Sequence, residues 1–403
     1  MSAHTQQEIP GEPVDLTELR RVANDGTALR YALMELAAET PDVIALGRGD
    51  PDMDTPEHII AAAQEAVRSG LADRPAPPSG LPELRAAIAE KLRRDNNIPA
   101  DDDCVLVTSG GQEALFLIMQ ALLNPGDEVL VPDPRYTSYD QAIEQAGGKM
   151  VMVGTEPEDD FDLLPAAVEA ALTPRTKALL IVSPNNPTGG VVSEESRRAI
   201  AELAKQHDFI VISDEIYEKF VYPPARRLSM AALPDMFERT ITLNGVSKAY
   251  CMTGWRVGYV AAPPDFIAAL TALKTATTGP TAAVGQYAAL AAIAGPQDAV
   301  DAFYAIYAQR RQLLMEGLTA IGLTYSEPQG GFFVYTNAAS SGLSAFELSY
   351  RLLKEGHVLI FPGTAFGEKW RDWLRISYLQ PAEELQKALW RMEAVLGRLK
   401  REG

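Results

Sequence analysis

The sequence is poor in cysteine and in histidine. Of its 403 residues two are cysteine, Cys104 and Cys251, and four are histidine, His4, His58, His207 and His357. The histidines stand singly and without metal-ligand spacing, which sets aside a zinc or iron site. Two cysteines make no disulfide framework, and both are expected as buried, reduced thiols. Positive charge is short as well: 36 Lys and Arg against 54 Asp and Glu give a formal net charge of −18. A surface of that sign does not bind nucleic-acid phosphates, so no nucleic-acid partner is expected. No stretch of about twenty apolar residues occurs, so no membrane span is expected. The longest apolar run, Ala282 to Ala294, is alanine-rich and interrupted by Gly285 and Gln286. The opening residues, MSAHTQQEIPGEPVD, lack a basic start and an apolar segment. No secretory signal is therefore expected, and the cytoplasm is the expected location.

What is present is core-forming material, with 47% of residues hydrophobic. The length suits one large domain or two linked ones. From Asp103 to Pro263, short apolar runs alternate with helical patterns. The runs are Cys104–Val107, Val129–Val131, Met150–Val153, Ala178–Val182, Phe209–Ile212, Thr240–Leu243 and Val257–Ala261. Glu113–Leu123, Leu164–Ala171 and Glu194–His207 between them carry apolar residues at helical spacing. Continuous rather than alternating apolar runs fit strands buried on both faces. The expected fold is therefore α/β, a doubly wound and mostly parallel sheet with a smaller α+β domain. Leu16–Glu39 reads as helix. The last hundred residues read as a long helix near Pro296–Ile321, strands at Phe332–Tyr335, Val358–Phe361 and Leu374–Tyr378, and a closing helix from Pro381. The expected division is an arm over 1–15, a segment over 16–50 folding back on the small domain, a large domain over 51–300 and a small one over 301–403.

Ligands of open α/β sheets sit at the carboxyl ends of strands, and the residues there carry chemistry. Thr108-Ser109-Gly110-Gly111-Gln112 stands at a strand-to-helix turn, where backbone amides and the helix N-terminus favour an anion; a plain tight turn fits equally well. Tyr136 can stack on a flat heterocycle or simply pack. Asn186, in SPNNPTG, is a turn residue or a donor aimed into the cleft. Asp214 ends a buried strand, where a carboxylate is costly unless it is paired, faces a ligand or caps a helix. Tyr217 reaches the same side. Lys248 lies among Val246, Ala249, Tyr250 and Met252, where desolvation frees an amine to attack a carbonyl; a solvated loop lysine is the alternative. Arg256 and Arg375 are planar forks for phosphate or carboxylate.

Together these residues supply a nucleophilic amine, a carboxylate, an anion cradle and a stacking ring. In that combination the chain resembles the class I and II aminotransferases, pyridoxal-phosphate enzymes of fold type I, and within them the aspartate-aminotransferase-like prokaryotic branch. The resemblance runs from about Leu16 to the C-terminus. It rests on SPNNPTG (183–189), SDEIYE (213–218) and SKAYCMTGWRVG (247–258), with LGRGDPDMDTP (46–56) and LRISY (374–378) in support. It implies that Lys248 holds pyridoxal 5′-phosphate as a Schiff base and shuttles the proton from the substrate Cα. It implies that Asp214 keeps the ring nitrogen protonated and that Asn186 and Tyr217 bond the ring's phenolic oxygen. Tyr136 stacks on the ring, the Gly111 and Gln112 amides with Arg256 hold the phosphate, and Arg375 with the Gly49 backbone binds the substrate carboxylate, Asn186 lying beside them.

Two positions depart from the family. Gly245 stands where many relatives have a phosphate-binding serine, with Ser247 the nearby hydroxyl able to stand in. Pro75 stands where a tyrosine reaches the partner subunit's phosphate, with Arg74 beside it as a charged replacement. The implied reaction is amino transfer from an L-amino acid to a 2-oxo acid by a homodimer. The alternative is a pyridoxal-phosphate-dependent C–S or β-eliminating lyase on the same residues. A cofactor-binding regulator or a nucleotide enzyme fits less well, since no DNA-binding module, P-loop or spaced GxGxxG is present. An acidic donor requires a second cation, for which Arg30 and Arg48 are the N-terminal candidates; Phe332 and Phe333 stand near a pocket wall.

Overall fold

A computed structural model describes residues 26–402. The arm expected over 1–15, and the first part of the helix expected from Leu16, lie outside the described residues. The described chain begins with helix Gly26–Glu39 and the short strand β1 (Ile44–Ala45). Helices Glu57–Arg68 and Pro82–Asn96 follow, before β2 (Val105–Thr108), β3 (Glu128–Asp133), β4 (Lys149–Gly154), β5 (Thr176–Val182), β6 (Ile210–Asp214), β7 (Thr240–Gly245) and β8 (Gly258–Ala261). These seven strands form one sheet in the order β2-β8-β7-β6-β5-β3-β4. β8 runs antiparallel to both its neighbours, and the other pairings are parallel.

The continuous apolar runs are accounted for by burial on both faces. Successive strand residues point to opposite sides. Val129 and Val131, with Leu180 and Ile212, face helices Gly111–Leu122 and Pro264–Thr277. Leu130, with Leu179, Ile181 and Val211, faces helix Glu194–His207. Near the β2 edge, Val105, Val107, Tyr259 and Ala261 pack on the early helices and on Ala283–Ala294. Those two early helices have no counterpart in the sequence reading. Their buried faces are built largely from alanine and from residues between charges, such as Ile59, Ala63 and Ala66 in the first.

Beyond helix Asp298–Ala320 the chain forms a second, antiparallel sheet. Its strands are β9 (Thr324–Ser326) and β10 (Phe333–Asn337), then, after β11 (Val358–Leu359), β12 (Phe361–Pro362) and β13 (Trp373–Ser377), in the order β12-β13-β10-β9. The run Val358–Phe361, read as one strand, is two. Val358–Leu359 pairs with β1, whereas Phe361–Pro362 pairs with β13, because the chain changes sheets at Ile360. The long helix crosses both cores: Val300 packs near β2, and Tyr307, Leu314 and Leu318 pack against the second sheet. Among the described residues no helix is long and apolar enough to cross a membrane.

Candidate active site

Strand register sets the site. Gly258, at the start of β8, pairs with Thr108 on one side and Gly245 on the other, while Asp214 pairs with Leu243 and Val182. The loops after β2, β5, β6 and β7 thus open on one edge of the sheet. Glycine makes the crossing there. A Cβ on Gly258 would lie 2.8 Å from the Gly110 carbonyl carbon and 2.9 Å from the Gly111 nitrogen. A Cβ on Gly245 would lie 3.1 Å from the Gly258 Cα. Gly110 itself has φ +85, and a Cβ there would lie 2.6 Å from the Arg256 Nη2. Helix Gly111–Leu122 starts without a side-chain cap, its Gly111 and Gln112 amides at the positive helix pole beside that guanidinium. Buried Ser247 and the pair Ser109 Oγ–Thr281 Oγ1, 3.3 Å apart, add hydroxyls. A turn of this make suits a phosphate.

Lys248 follows β7. Its Nζ donates to the Gly49 carbonyl at 2.8 Å and to Asp50 Oδ1 at 3.3 Å. Burial, aided by the charges of Arg375 and Arg256, holds its pKa below that of an ordinary lysine, against the pull of Asp50. Asp214 is half-buried, and desolvation pushes its carboxyl up to about 6. The Tyr139 hydroxyl donates to Asp214 Oδ2 at 2.8 Å and the Ile216 N–H to Oδ1 at 3.1 Å. Tyr139 has no place among the residues that the sequence marks for the site. Its only local signal is its place three residues after Tyr136, whose ring it meets edge-on at 5.7 Å. Tyr217 packs edge-on against Phe332 and Phe333, and burial raises its hydroxyl pKa while Arg375 lowers it.

Arg375, on β13, crosses from the second sheet into this edge. It donates to Asn186 Oδ1 at 2.8 Å and to the Gly47 carbonyl, and lies over the rings of Phe333 and Phe366 at 4.2 and 4.5 Å. Among the described residues no carboxylate pairs with it, its Nε has no hydrogen-bond partner, and burial pushes its pKa down to about 9. A buried guanidinium without a counter-ion is a receptor for an anion. In this segment the Gly47 carbonyl accepts from Arg375 and the Gly49 carbonyl from Lys248.

Segment 46–55, which carries both carbonyls, is tied down along its length. Ser377 N–H donates to Leu46 O, Arg310 to Asp52 and Trp255 Nε1 to Thr55. Of the two N-terminal arginines, Arg48 is exposed, whereas Arg30 bonds Thr137 Oγ1 at 2.9 Å and lies 5.4 Å from the Tyr136 ring and 5.7 Å from Phe366. Arg74 is exposed, with no ion pair among the described residues.

The structure therefore brings together, on one strand edge, an amine with a weakened hold on its proton, a half-buried carboxyl, an uncapped glycine turn with a guanidinium, and a second guanidinium awaiting an anion. These residues fit a phosphorylated pyridine aldehyde: the turn and Arg256 suit its phosphate, Asp214 its ring nitrogen and Lys248 its carbonyl carbon. A family model described as aminotransferase class I and II matches residues 41–392. The chain is 43% identical over 378 residues to the aspartate/prephenate aminotransferase of Thermus thermophilus, covering 92% of this chain and 95% of that one. It is 43% identical over 367 residues to the aspartate aminotransferase of Pyrococcus abyssi, covering 90% and 94%. The solved aromatic aminotransferase of Pyrococcus horikoshii superposes with a TM-score of 0.87 at 42% identity, covering 91% of this chain and 99% of that one.

Proposed function

The chain belongs to the class I and II aminotransferases and is a transaminase, and on that premise we propose that its cofactor is pyridoxal 5′-phosphate, held by Lys248 and the strand-edge residues around it. The observation that carries the reading is the convergence of Lys248, Asp214 and the Gly110–Arg256 turn at the carboxyl edge of a single sheet. When bound, the cofactor supplies a carbonyl carbon that condenses with amines and a ring that draws electron density from the carbon being deprotonated. The Gly111 and Gln112 amides, Arg256 and Ser247 hold its phosphate. Asp214 holds the proton on the ring nitrogen, with the Tyr139 hydroxyl orienting the carboxylate. Tyr136 lies against the ring face, and Asn186 and Tyr217 reach its phenolic oxygen. Arg375 binds the substrate α-carboxylate with Asn186, beside the Gly47 and Gly49 backbone. Lys248 Nζ takes the proton from the substrate Cα and returns it at the other end of the transfer.

Steady-state assays with aspartate, prephenate's amino product and aromatic amino acids as donors test this. Each donor consumed is expected to aminate one 2-oxo acid acceptor. Release of ammonia and pyruvate with no acceptor present would replace transfer by lysis. Arg375→Lys keeps the charge but loses the planar fork. It is expected to raise KM for donor and acceptor alike, by about tenfold, since each carries the α-carboxylate; an unchanged KM for both removes Arg375 from the carboxylate site.

The two sheets support a large domain over 51–300 and a small one over 301–403, with the described part of segment 16–50, residues 26–50, packed on the latter through β1 and β11. The homodimer and the cytoplasmic location are part of the same proposal. Supporting a dimer, Val67 and Leu71 are exposed apolar side chains close in sequence to Arg74. If Arg74 reaches across to the partner subunit's phosphate, Arg74→Ala weakens cofactor binding about tenfold. Cofactor titration followed by visible absorbance checks this, and equal affinity dismisses it.

A further inference from the structure

The strand edge has a second, buried side. The turn after β6 presents Asp214 and Tyr217 to the site, and Glu215 and Glu218 away from it, into a closed polar cluster. Lys91, Asn96, Glu215 and Glu218 are 3%, 4%, 3% and 6% exposed, so the cluster is shielded from water. Each of its four carboxylate oxygens has a donor. Ser213 Oγ bonds Glu215 Oε1 at 2.9 Å and Ser229 Oγ bonds Oε2 at 2.6 Å. Lys91 Nζ donates to Glu218 Oε1, and Asn96 Nδ2 to Oε2. Lys91 also donates to Asn96 Oδ1 at 2.7 Å, so helix Pro82–Asn96 grips the turn as a unit.

Fold stability gives no reason for charge here. A buried ion pair is often replaced by apolar residues of like volume at little or no cost. The turn, however, lies past the end of the sheet ladder and has few main-chain bonds of its own: Glu215 N–H to Leu243 O, Glu218 N–H to Glu215 O and Phe220 N–H to Tyr217 O. Its two glutamates supply the anchorage that strand pairing no longer provides. A fully satisfied buried polar network fixes one arrangement where apolar packing tolerates several.

We infer that Lys91 and Asn96, acting through Glu218 and Glu215, are positioning residues that set the placement of Asp214 and Tyr217 for the cofactor. They touch neither cofactor nor substrate; their effect runs through a turn in which neighbouring residues face opposite ways. The inference rests on the proposed roles of Asp214 and Tyr217.

The test separates positioning from stability. Lys91→Met alone strands a buried carboxylate and lowers the thermal midpoint. The double variant Lys91→Met with Glu218→Met removes both charges, and its thermal midpoint is expected to return close to the parent's. Its affinity for pyridoxal 5′-phosphate is nevertheless expected to fall about tenfold, and the visible circular dichroism per bound cofactor, which reports how rigidly the chromophore is seated, to drop by about half. Parent-like affinity and dichroism in the double variant would make the cluster a stability device only and overturn the inference. Ser229→Ala, which removes a single donor, covers the case in which the double variant does not fold. It is expected to shift both readouts the same way by about a third as much, and no shift in either counts against the inference. Asp214→Asn is measured in parallel. If it leaves cofactor binding intact, the underlying role of Asp214 is wrong; if it weakens binding while the Lys91 and Ser229 variants do not, only the positioning role is lost.

Discussion

Lys248→Ala is expected to lower turnover at least ~10⁴-fold while leaving the protein folded. Among the described residues, the groups bonded to the amine offer no substitute for it. The groups bonded to it, the Gly49 carbonyl and the Asp50 carboxylate, accept hydrogen bonds. Neither carries a nitrogen able to condense with a carbonyl. Removing the side chain costs the fold little, because burial already works against its charge and the Asp50 it leaves behind is open to water, its side chain 64% exposed. Turnover and thermal midpoint are read on the same preparation. Turnover within tenfold of the parent would place the reactive amine elsewhere; a collapsed midpoint would assign Lys248 a structural duty that its surroundings do not suggest.

Asp214→Asn carries the second large effect, and it has opposite signs in two measurements. Burial holds the Asp214 carboxyl at about 6 in the folded protein, against an ordinary value of 3.8. Below pH 3.8 the group is protonated both folded and unfolded and carries no penalty. Between pH 3.8 and 6 the unfolded chain releases this proton while the folded protein keeps it, so stability is lost across that window and the loss is complete above 6. By linkage that loss amounts to roughly 3 kcal/mol at neutral pH when no cation faces the carboxylate. Asparagine cannot ionise and can still bond Tyr139 and Ile216. The cofactor-free variant should therefore melt higher than the parent at pH 7.5, and the difference should vanish near pH 4. With pyridoxal 5′-phosphate added the order reverses, because only the carboxylate holds a cationic nitrogen, and turnover falls by roughly 10²–10³-fold. Calorimetry at both pH values, with and without cofactor, reads all of this. A cofactor-free variant less stable than the parent at pH 7.5 would refute the assignment.

The legible part of this protein lies where chemistry and local sequence coincide. Lys248, Asp214, Asn186 and Arg256 each follow or precede an apolar run that announces a strand, so the sheet and its reactive edge can be read together. Arg375 is legible for a different reason: an arginine between Leu374 and Ile376 in an apolar strand has to meet something. What stayed hidden depends on distant partners. Tyr139 meets Asp214 across 75 residues, and Gly47 meets Arg375 across 328; no spacing rule links them. Helix Pro82–Asn96 went unread because PELRAAIAEKLRRDN looks like a solvated face. Its Lys91 lies on the same buried stripe as Leu84, Ile88 and Leu92, a fact fixed only by Glu218 on the other side of the fold. The switch of sheets at Ile360 was unreadable for a related reason, since β1 and β13 compete for one short apolar run from far apart in the chain.

Gly110, Gly245 and Gly258 meet where three stretches of main chain pass within one atomic layer, and what a side chain would strike at Gly258 is backbone. No second substitution can make room, because peptide atoms cannot be trimmed as a bulky neighbour can. The start of helix Gly111–Leu122 is thus located by main chain against main chain. Its distance from the lysine-bearing loop is insulated from drift in side-chain identity elsewhere, so cores on either face can be repacked freely without moving the anion-binding end of that helix.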